Sequence, residues 1–280
     1  IGQLYIDGKD AHSTYGVFLL EGSYATLIGY PPLKKVATND WQEVDGIEAD
    51  LSAPVLDTRK FTLKFCAYNP LEADALFAAL SQGAYHTFEF RELKKTYKLR
   101  LVSMPNRELW RNIEVFSLQF ADDFPLSDYT YLSPSPILLR DNYRLDGKPL
   151  SDYGIVILKG TEDGFAALPD AKANLLRNIS SQSGVIYDGE RVTYQAKEVK
   201  INCFMRLETL AGFWRNYNAL LYDLTRPNER LLYCKTTSKE YPCYYKCATV
   251  SEFSLSSGVW CKFAITLTIT ALGNTKIYNI

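Results

Sequence analysis

Residues that commonly hold metals or transfer protons are scarce in this sequence. It contains two histidines, His12 and His86, and its six cysteines form no Cys-x-x-Cys pair. A structural zinc site usually needs four well-spaced cysteine or histidine ligands, and no histidine lies near the pair Cys243 and Cys247. We therefore expect no metal, and we expect the thiols to be buried or half-buried on strands in a reducing compartment.

Long apolar runs and an excess of either charge are also missing. No stretch approaches the roughly 18 consecutive apolar residues that a membrane-spanning helix needs, and no basic-then-apolar leader predicts a signal peptide. The formal net charge is −1, which argues against capture of nucleic acid or an anionic membrane by a broad basic surface. We expect neither membrane insertion nor specific nucleic-acid binding.

Aromatic residues, in contrast, are abundant. They make up 14% of the chain, with 20 tyrosines and 14 phenylalanines, which favours β structure and extended contact surfaces. A chain of 280 residues forms one large or two medium domains.

A repeated stretch decides in favour of two domains. Residues 5–22 contain, in order, an Asp-Gly turn, a Tyr-Gly pair, a short apolar strand and a closing glycine. Residues 144–160 repeat this order, with the Asp-Gly turn 139 positions later and the Tyr-Gly pair 138 positions later. Because the period is as long as a domain, we interpret it as a tandem duplication and not as a solenoid.

The rest of each half keeps the same order of elements. Residues 4–22 are expected to form a two-stranded hairpin, and 61–65 alternate as a half-buried strand should. A helix opens at Asn69-Pro70 in the first half, and a longer one covers about 207–224 in the second. The predicted apolar face of the first helix consists of Leu71, Ala75, Leu76, Ala79 and Leu80. Three more strands follow each helix, and in the first half we expect them over 85–90, 97–102 and 113–120.

These elements predict a mainly β (α+β) protein. Its two tandem, related domains are antiparallel β-sandwiches or split barrels, each with one flanking helix. We place the first copy at 1–123, a stiff linker rich in proline and serine at 124–137, and the second copy at 138–280. No cofactor is expected, because the sequence lacks both βαβ alternation and a Gly-rich phosphate loop.

Candidate catalytic groups do not converge in the sequence. His12 lies near Asp10 and Ser13 on one turn, and close neighbours on a turn rarely meet as a Ser-His-Asp triad does. His86 is better explained as a residue filling the core or surface. Paired carboxylates occur at Asp122 and Asp123.

A second carboxylate group consists of Glu43, Asp45, Glu48 and Asp50. A glycosidase needs two carboxyls that face each other across a cleft, roughly 5–9 Å apart. Neighbouring carboxylates in a turn are more often solvated, so we predict no catalytic residues and no enzyme.

A basic set follows a predicted strand in the first half and consists of Arg91, Lys94, Lys95, Lys98 and Arg100. It either contacts an acidic partner or a nucleic-acid backbone, or it is a solvated hairpin tip. We favour the tip, because the chain has no basic excess.

The matching hairpin in the second half carries Lys235 and Lys239. Two long hairpins in equivalent places would suit contacts with a neighbouring subunit. The oligomer interface that we hypothesise contains Arg91, Lys94, Lys95, Lys235 and Lys239.

The order of these motifs resembles that of the distal tail and baseplate-hub proteins of tailed phages. The residues that carry the resemblance are Ile6-Asp7-Gly8, Tyr15-Gly16, Leu145-Asp146-Gly147 and Tyr153-Gly154. In that family, short strands pair with one flanking helix, and hairpins join the neighbours of a ring. Many distal tail proteins carry an unrelated carbohydrate-binding-like second domain. Here the second half is similar to the first, as in hub proteins with two tube-like domains.

The resemblance implies a structural protein of the virion, encoded by a phage or prophage and made in the bacterial cytoplasm. It would form a homo-oligomeric ring, a trimer or a hexamer, that joins the tail tube to the tip and contacts other tail proteins. Open sheet edges would pair between subunits in a contact that closes by rotation.

Two alternatives of other classes stay open. One is a carbohydrate- or cell-surface-binding module, whose mark would be exposed aromatic residues on one sheet face. Its candidate members are Tyr241, Tyr244, Tyr245 and Trp260. The other is an enzyme acting on a cell wall or glycan, which would need a cleft with converging carboxylates.

Overall fold

The computed structural model describes residues 2–137, 142–173, 176–187 and 192–276. The chain forms two compact units. Unit 1 comprises residues 1–32, 56–130 and 249–261, and unit 2 comprises 33–55, 131–248 and 262–280. The expected start of the second copy, at position 138, lies outside the described residues.

The described part of the first half contains nine strands: β1 (Leu4–Ile6), β2 (Lys9–Asp10), β3 (Val17–Leu19), β4 (Thr38–Asn39), β5 (Glu48–Ala49), β6 (Arg59–Ala67), β7 (His86–Phe90), β8 (Lys95–Trp110) and β9 (Ile113–Asp122). The described part of the second half contains eight: β10 (Tyr143–Leu145), β11 (Lys148–Pro149), β12 (Ile155–Ile157), β13 (Lys197–Leu207), β14 (Arg230–Cys234), β15 (Lys239–Ser254), β16 (Val259–Ile269) and β17 (Asn274–Thr275). The helices are α1 (Ala11–Tyr15), α2 (Ser23–Leu27), α3 (Pro70–Leu80), a 3₁₀ helix (Leu150–Tyr153), α4 (Glu162–Ala166) and α5 (Leu210–Leu224).

The two large sheets have the same strand order. One runs β2-β1-β7-β8-β9-β6-β3, and the other runs β11-β10-β14-β15-β16-β13-β12, with β17 beside β15. Each strand of the first sheet thus has a counterpart of the same rank in the second. Neither sheet closes into a barrel within the described residues. The predicted mainly β class is confirmed.

One predicted hairpin is wrong. Residues 4–22 were expected to form two paired strands, but β3 pairs with β6 at one edge of the sheet while β1 and β2 form the other edge. The short helix α1 separates them. The Asp10 carboxylate caps α1 by accepting a hydrogen bond from the Ser13 amide (2.8 Å), and Gly16 ends it in the left-handed region.

The repeated Asp-Gly turns make the same pair of hydrogen bonds in both sheets. The Asp7 amide donates to the Thr87 carbonyl (2.8 Å), and the Asp7 carboxylate accepts from the Thr87 amide (2.7 Å). Asp146 makes the same two bonds with Leu231, both at 2.8 Å. Each aspartate therefore ties its turn to the adjacent strand, which explains why the pattern recurs.

Helix α3 begins where the sequence indicates, but its buried face differs in part. The Asn69 side chain accepts from the Leu71 amide (3.0 Å) and Pro70 occupies the first turn. Leu76 and Leu80 are buried as predicted, but Leu71 is 75% exposed. Ala75 is exposed as well, whereas Ala73 is fully buried. The inward face is thus rotated from the predicted one.

Helix α5 begins at Leu210, three residues after the predicted start. Leu207 is the last residue of β13, and the Thr209 hydroxyl caps the helix by accepting from the Gly212 amide (3.2 Å). Part of the proline-rich segment lies against this helix in unit 2. There Asn216 bonds the backbone of Ser135 through both of its amide atoms (2.8 and 3.0 Å).

Candidate functional site: two hairpin tips

The strands β8 and β9 form a long hairpin in unit 1. They pair as far as Trp110 and Ile113, and a two-residue turn with Arg111 at φ 55° joins them. The pairing register shifts twice, between Leu101 and Ser103 and between Ser103 and Asn106. Such bulges bend and twist a strand. We call residues 102–112 the first tip.

The first tip is exposed along its whole length. Four of its exposed side chains are large and apolar: Val102 (39%), Met104 (42%), Leu109 (64%) and Trp110 (65%). Scattered apolar residues are normal on a surface, but a cluster of this kind on one element marks a contact site.

The middle of the first tip is held in place by charged groups. Arg107 forms ion pairs with Asp74 on α3 (2.9 Å) and with Glu114 on β9, whose side chain is fully buried. At the turn, the Arg111 guanidinium lies 4.9 Å from the centre of the Trp110 ring. Arg107 thus anchors the middle of the first tip, while its end exposes Leu109 and Trp110 beside the cation of Arg111.

The equivalent hairpin of the second half, formed by β15 and β16, has a different environment at its end. Its residues 249–261, which we call the second tip, belong to unit 1. Within that unit, Phe253 packs edge-on against Tyr24 of α2, with ring centres 6.5 Å apart. Burial raises the pKa of Tyr24, whose hydroxyl donates to Glu92 (2.9 Å). Val259 and Cys261 are buried.

The predicted interface residues occupy two short turns of the same shape. Lys94 and Ser238 both adopt positive φ angles, 49° and 52°, and their amides donate to the carbonyls of Arg91 and Lys235 at 3.1 Å. The expectation that these hairpins are long is wrong, because β7 with β8 and β14 with β15 each pair over only five residues. The long hairpins are the next ones along the chain.

The side chains at these turns are mostly solvated. The Arg91 guanidinium lies 4.0 Å from the centre of the Tyr5 ring, and Lys94 is exposed. Burial, with a smaller effect from the charge of Arg59, lowers the pKa of Lys95. In the second turn, Lys235 and Lys239 are exposed. Their role in an interface stays a prediction.

The other basic and acidic groups of this region pair with each other. Arg100 forms a bidentate ion pair with Asp123 (2.7 and 3.0 Å). Hydrogen bonds from Arg100, and more weakly from Thr58 and Tyr85, lower the pKa of Asp123 to about 2.

Asp122, the neighbour of Asp123, pairs instead with the buried Arg59 (2.8 Å). The adjacent carboxylates Asp122 and Asp123 are therefore each held by a different arginine.

The two histidines have separate surroundings. His12 lies within α1, whose cap engages Asp10 and Ser13 with each other and not with the imidazole. His86 is buried, and its ring nitrogens lie 2.6 Å from the Asp7 carboxylate and 3.0 Å from the Leu80 carbonyl. Both partners are acceptors, so His86 stabilises the Asp-Gly turn.

The aromatic residues proposed for glycan binding do not form an exposed cluster. Tyr241 is 5% exposed and Tyr245 is fully buried, so that prediction is wrong for these two. Both alternate into the core along β15, because inward and outward positions alternate on a strand. Trp41 and Trp110 are instead the exposed tryptophans of the described chain, at 56% and 65%.

All six cysteines are free thiols, five of them buried and Cys247 half-buried, as expected. Burial raises the pKa of the Cys66 thiol and, more strongly, those of Cys243 and Cys261.

Among the described residues, no three His, Cys, Asp or Glu side chains are grouped so as to hold a metal ion. Nor does any helix of that part of the chain have the length and apolarity to cross a membrane.

Comparison with known proteins gives a partial structural similarity. No family model matches the chain, and no curated protein matches it. Among solved structures, the Dit protein of phage SPP1, titled a paradigm of the hub adsorption apparatus in phages that infect Gram-positive bacteria, aligns with a TM-score of 0.37 and 16% identity. The alignment covers 48% of this chain and 51% of that chain, about half of each. We draw no argument from a similarity of this extent.

Proposed function

We propose that this chain is a structural subunit of a phage tail or baseplate, of the distal-tail or hub type, that closes into a ring through its first tip. The observation that carries the proposal is the contrast between the two tips. They are the same element in two sheets of identical strand order, yet one packs against Tyr24 and the other presents four large apolar side chains to solvent.

The surface that we propose to receive the first tip lies in the second half. Helix α2, which carries Tyr24, has its counterpart in α4. Both helices begin beside a buried hydroxyl that accepts from a strand amide: Ser23 from Lys64 (3.1 Å) and Thr161 from Asn202 (3.0 Å).

Charge also favours α4 as the partner. It begins with the exposed acids Glu162 and Asp163, which complement Arg111 at the end of the first tip. In the proposed ring, the first tip of one chain docks on α4 of the next. This contact is heterologous and closes by rotation.

The proposal includes the domain organisation and the partners that follow from it. Residues 1–123 and 138–280 are tandem copies, so three chains supply six copies for one ring, and six chains supply a double ring. The basic turns at Arg91, Lys94, Lys95, Lys235 and Lys239 form further subunit contacts. The subunit is part of the virion, binds other tail proteins and has no catalytic role.

Light scattering coupled to size-exclusion chromatography, with negative-stain images of the same fractions, tests the proposal. We expect wild-type protein to form a closed trimer or hexamer with a central hole. Leu109→Ser combined with Trp110→Ser removes two large exposed side chains and should shift the population to monomer. Leu71→Ser is the matched control, because Leu71 is also an exposed leucine of unit 1.

Two outcomes would contradict the proposal. If the wild-type protein stays monomeric at high concentration, the chain does not form the proposed ring. An oligomer that survives the double substitution as well as it survives Leu71→Ser would show that the first tip is not the contact.

A further inference from the structure

A groove of about 650 Å³ lies within unit 2, apart from both tips. One wall is the loop 41–49, which carries the exposed Trp41 and Val44. The opposite wall contains Asn228, Glu229 and Leu231, and Thr270 and Ala271 also line it. This volume is in the ordinary range for sites that bind small molecules.

Hydrogen bonds from the buried Lys172 hold the loop that forms the first wall. The ammonium group of this lysine, whose side chain is 2% exposed, donates to the carbonyls of Trp41 (2.7 Å), Val44 (2.8 Å) and Gly46 (2.6 Å). It also pairs with the carboxylate of Asp40 (2.6 Å). A buried ammonium group is stable only with such partners, and its hydrogen bonds to these carbonyls fix the conformation of the loop.

Further bonds hold the remainder of the loop. The Gly46 amide donates to the Tyr194 carbonyl (2.7 Å), and the Tyr194 amide donates to the Asp45 carboxylate (2.9 Å). The Ile47 amide donates to the Thr270 carbonyl (2.8 Å). The wall is therefore rigid before any ligand arrives, which lowers the entropy cost of binding.

The polar groups of the groove are mainly acceptors held in fixed positions. Glu48 accepts from the indole nitrogen of Trp41 (3.1 Å), which orients both side chains. Glu229 accepts from the Thr270 hydroxyl through Oε1, and Asp45 accepts from Tyr194 through Oδ1. Each carboxylate thus lines the groove with one oxygen engaged with the protein.

This combination points to one ligand chemistry. An oriented indole gives the apolar C–H face of a pyranose ring a surface to stack on. Three carboxylates and the Asn228 amide are partners for ring hydroxyls. The same carboxylates repel anions and so disfavour an acidic sugar.

We propose that the groove is a binding site for neutral oligosaccharides, with Trp41 as the stacking platform and with Glu48 and Glu229 as hydroxyl acceptors. The site is independent of the proposed ring, because it involves neither tip. It also differs from the aromatic set that the sequence indicates, since Tyr241 and Tyr245 are buried.

Isothermal titration calorimetry with the full chain tests the site. The probes are cellotetraose, maltotetraose, mannotetraose and chitotetraose, each up to 10 mM, with tetragalacturonate as the acidic comparison. We expect at least one neutral probe to bind with a Kd of about 10 μM to 1 mM, and tetragalacturonate to bind at least tenfold more weakly.

Three variants separate stacking from a general effect on the fold. Trp41→Ala should weaken binding at least tenfold, and Trp41→Phe, which keeps an aromatic face, should stay within about threefold of wild type. Tyr68→Ala is the matched control, because Tyr68 is also an exposed aromatic residue (60%) and lies in neither the groove nor a tip; it should bind as wild type does.

The proposal is overturned if no neutral probe binds, if Trp41→Ala binds as tightly as wild type, or if tetragalacturonate binds as tightly as the neutral probes. Equal losses in Trp41→Ala and Tyr68→Ala would also overturn it. None of these results bears on the ring, whose test is the oligomeric state.

Discussion

Replacing Lys172 with methionine should release the loop that forms one wall of the groove. Methionine keeps the apolar stem of the side chain but removes the ammonium group. The carbonyls of Trp41, Val44 and Gly46 then lose their common donor, and Asp40 loses its ion pair. Because Asp40 is half exposed, water can solvate its carboxylate again, but the three carbonyls point inward.

The size of the effect follows from these bonds. A hydrogen bond to a charged group contributes about 1.5–3 kcal/mol, and an unsatisfied buried acceptor costs about 1–3 kcal/mol. Three such bonds do not add up fully, since the loop can open and expose its carbonyls to water. We therefore expect the free energy of local opening to fall by about 2–4 kcal/mol, which corresponds to roughly 30- to 1,000-fold faster amide exchange.

Hydrogen exchange read by mass spectrometry measures this change directly. The reporters are the Gly46 and Ile47 amides, which bond the Tyr194 and Thr270 carbonyls at 2.7 and 2.8 Å. Faster exchange should be confined to the segment around 41–49. Exchange within about twofold of wild type would refute the role that we give to Lys172, and so would an equal rise across the whole chain.

Lys197→Met is the matched control. The Lys197 ammonium also donates to three carbonyls, those of Gly164, Phe165 and Ala167 at the end of α4. Its loss should speed exchange of the Ala167 amide, which donates to Asp163 (3.0 Å), and leave the 41–49 loop unchanged.

Two further predictions concern single carboxylates. Asp146→Asn should lower the free energy of unfolding by about 2–3 kcal/mol, and Asp7→Asn should lower it by about 1 kcal/mol. The larger loss is expected at Asp146 because this residue pairs with the mostly buried Arg230 (2.8 Å). Urea denaturation measures both losses, and equal losses would contradict the prediction. The pKa of Asp123 is lowered to about 2, chiefly by hydrogen bonds from Arg100, so its stabilising effect is complete above about pH 4 and is lost as the pH falls toward 2. The stability difference between wild type and Asp123→Asn should therefore shrink over that interval, and a difference that stays constant would contradict the assignment.

Local signals in the sequence located most of the fold. The Asn69-Pro70 start of α3 is a cap that depends only on neighbouring residues, and it appears where predicted. The Asp-Gly turns at Asp7 and Asp146 are likewise local. The repeat of these signals predicts two sheets built in the same order, because each signal keeps its rank along the chain.

The long hairpin was predicted too short because its stability is not local. The sequence predicts a strand over 97–102, yet β8 continues to Trp110. Pro105 and Asn106 resemble a strand end, but they lie where the pairing register shifts, and a proline is tolerated at a bulge. Pairing with β9 extends the strand beyond what the propensities of these residues indicate.

The groove could not be predicted for a related reason. The only hint in the sequence is Trp41 among four carboxylates, and the same pattern occurs in ordinary solvated loops. What makes the loop a wall is Lys172, more than 120 positions away. No local rule connects a lysine with backbone carbonyls at that separation.

The two large sheets share one strand order but are built from different residues, and this bears on why their tips differ. The aspartate of the repeated turn pairs with His86 in the first sheet and with Arg230 in the second, so the anchor is kept while its partner changes. If the tips had no role beyond the fold, their exposed residues could be replaced by polar ones, just as the partner of the turn aspartate differs between the two sheets. The first tip instead carries Leu109 and Trp110, which are 64% and 65% exposed. Exposed apolar side chains promote non-specific association unless they are covered. Their presence on an anchored hairpin is thus most simply explained by a partner surface, and the proposed ring contact would supply that surface from a second copy of the same chain.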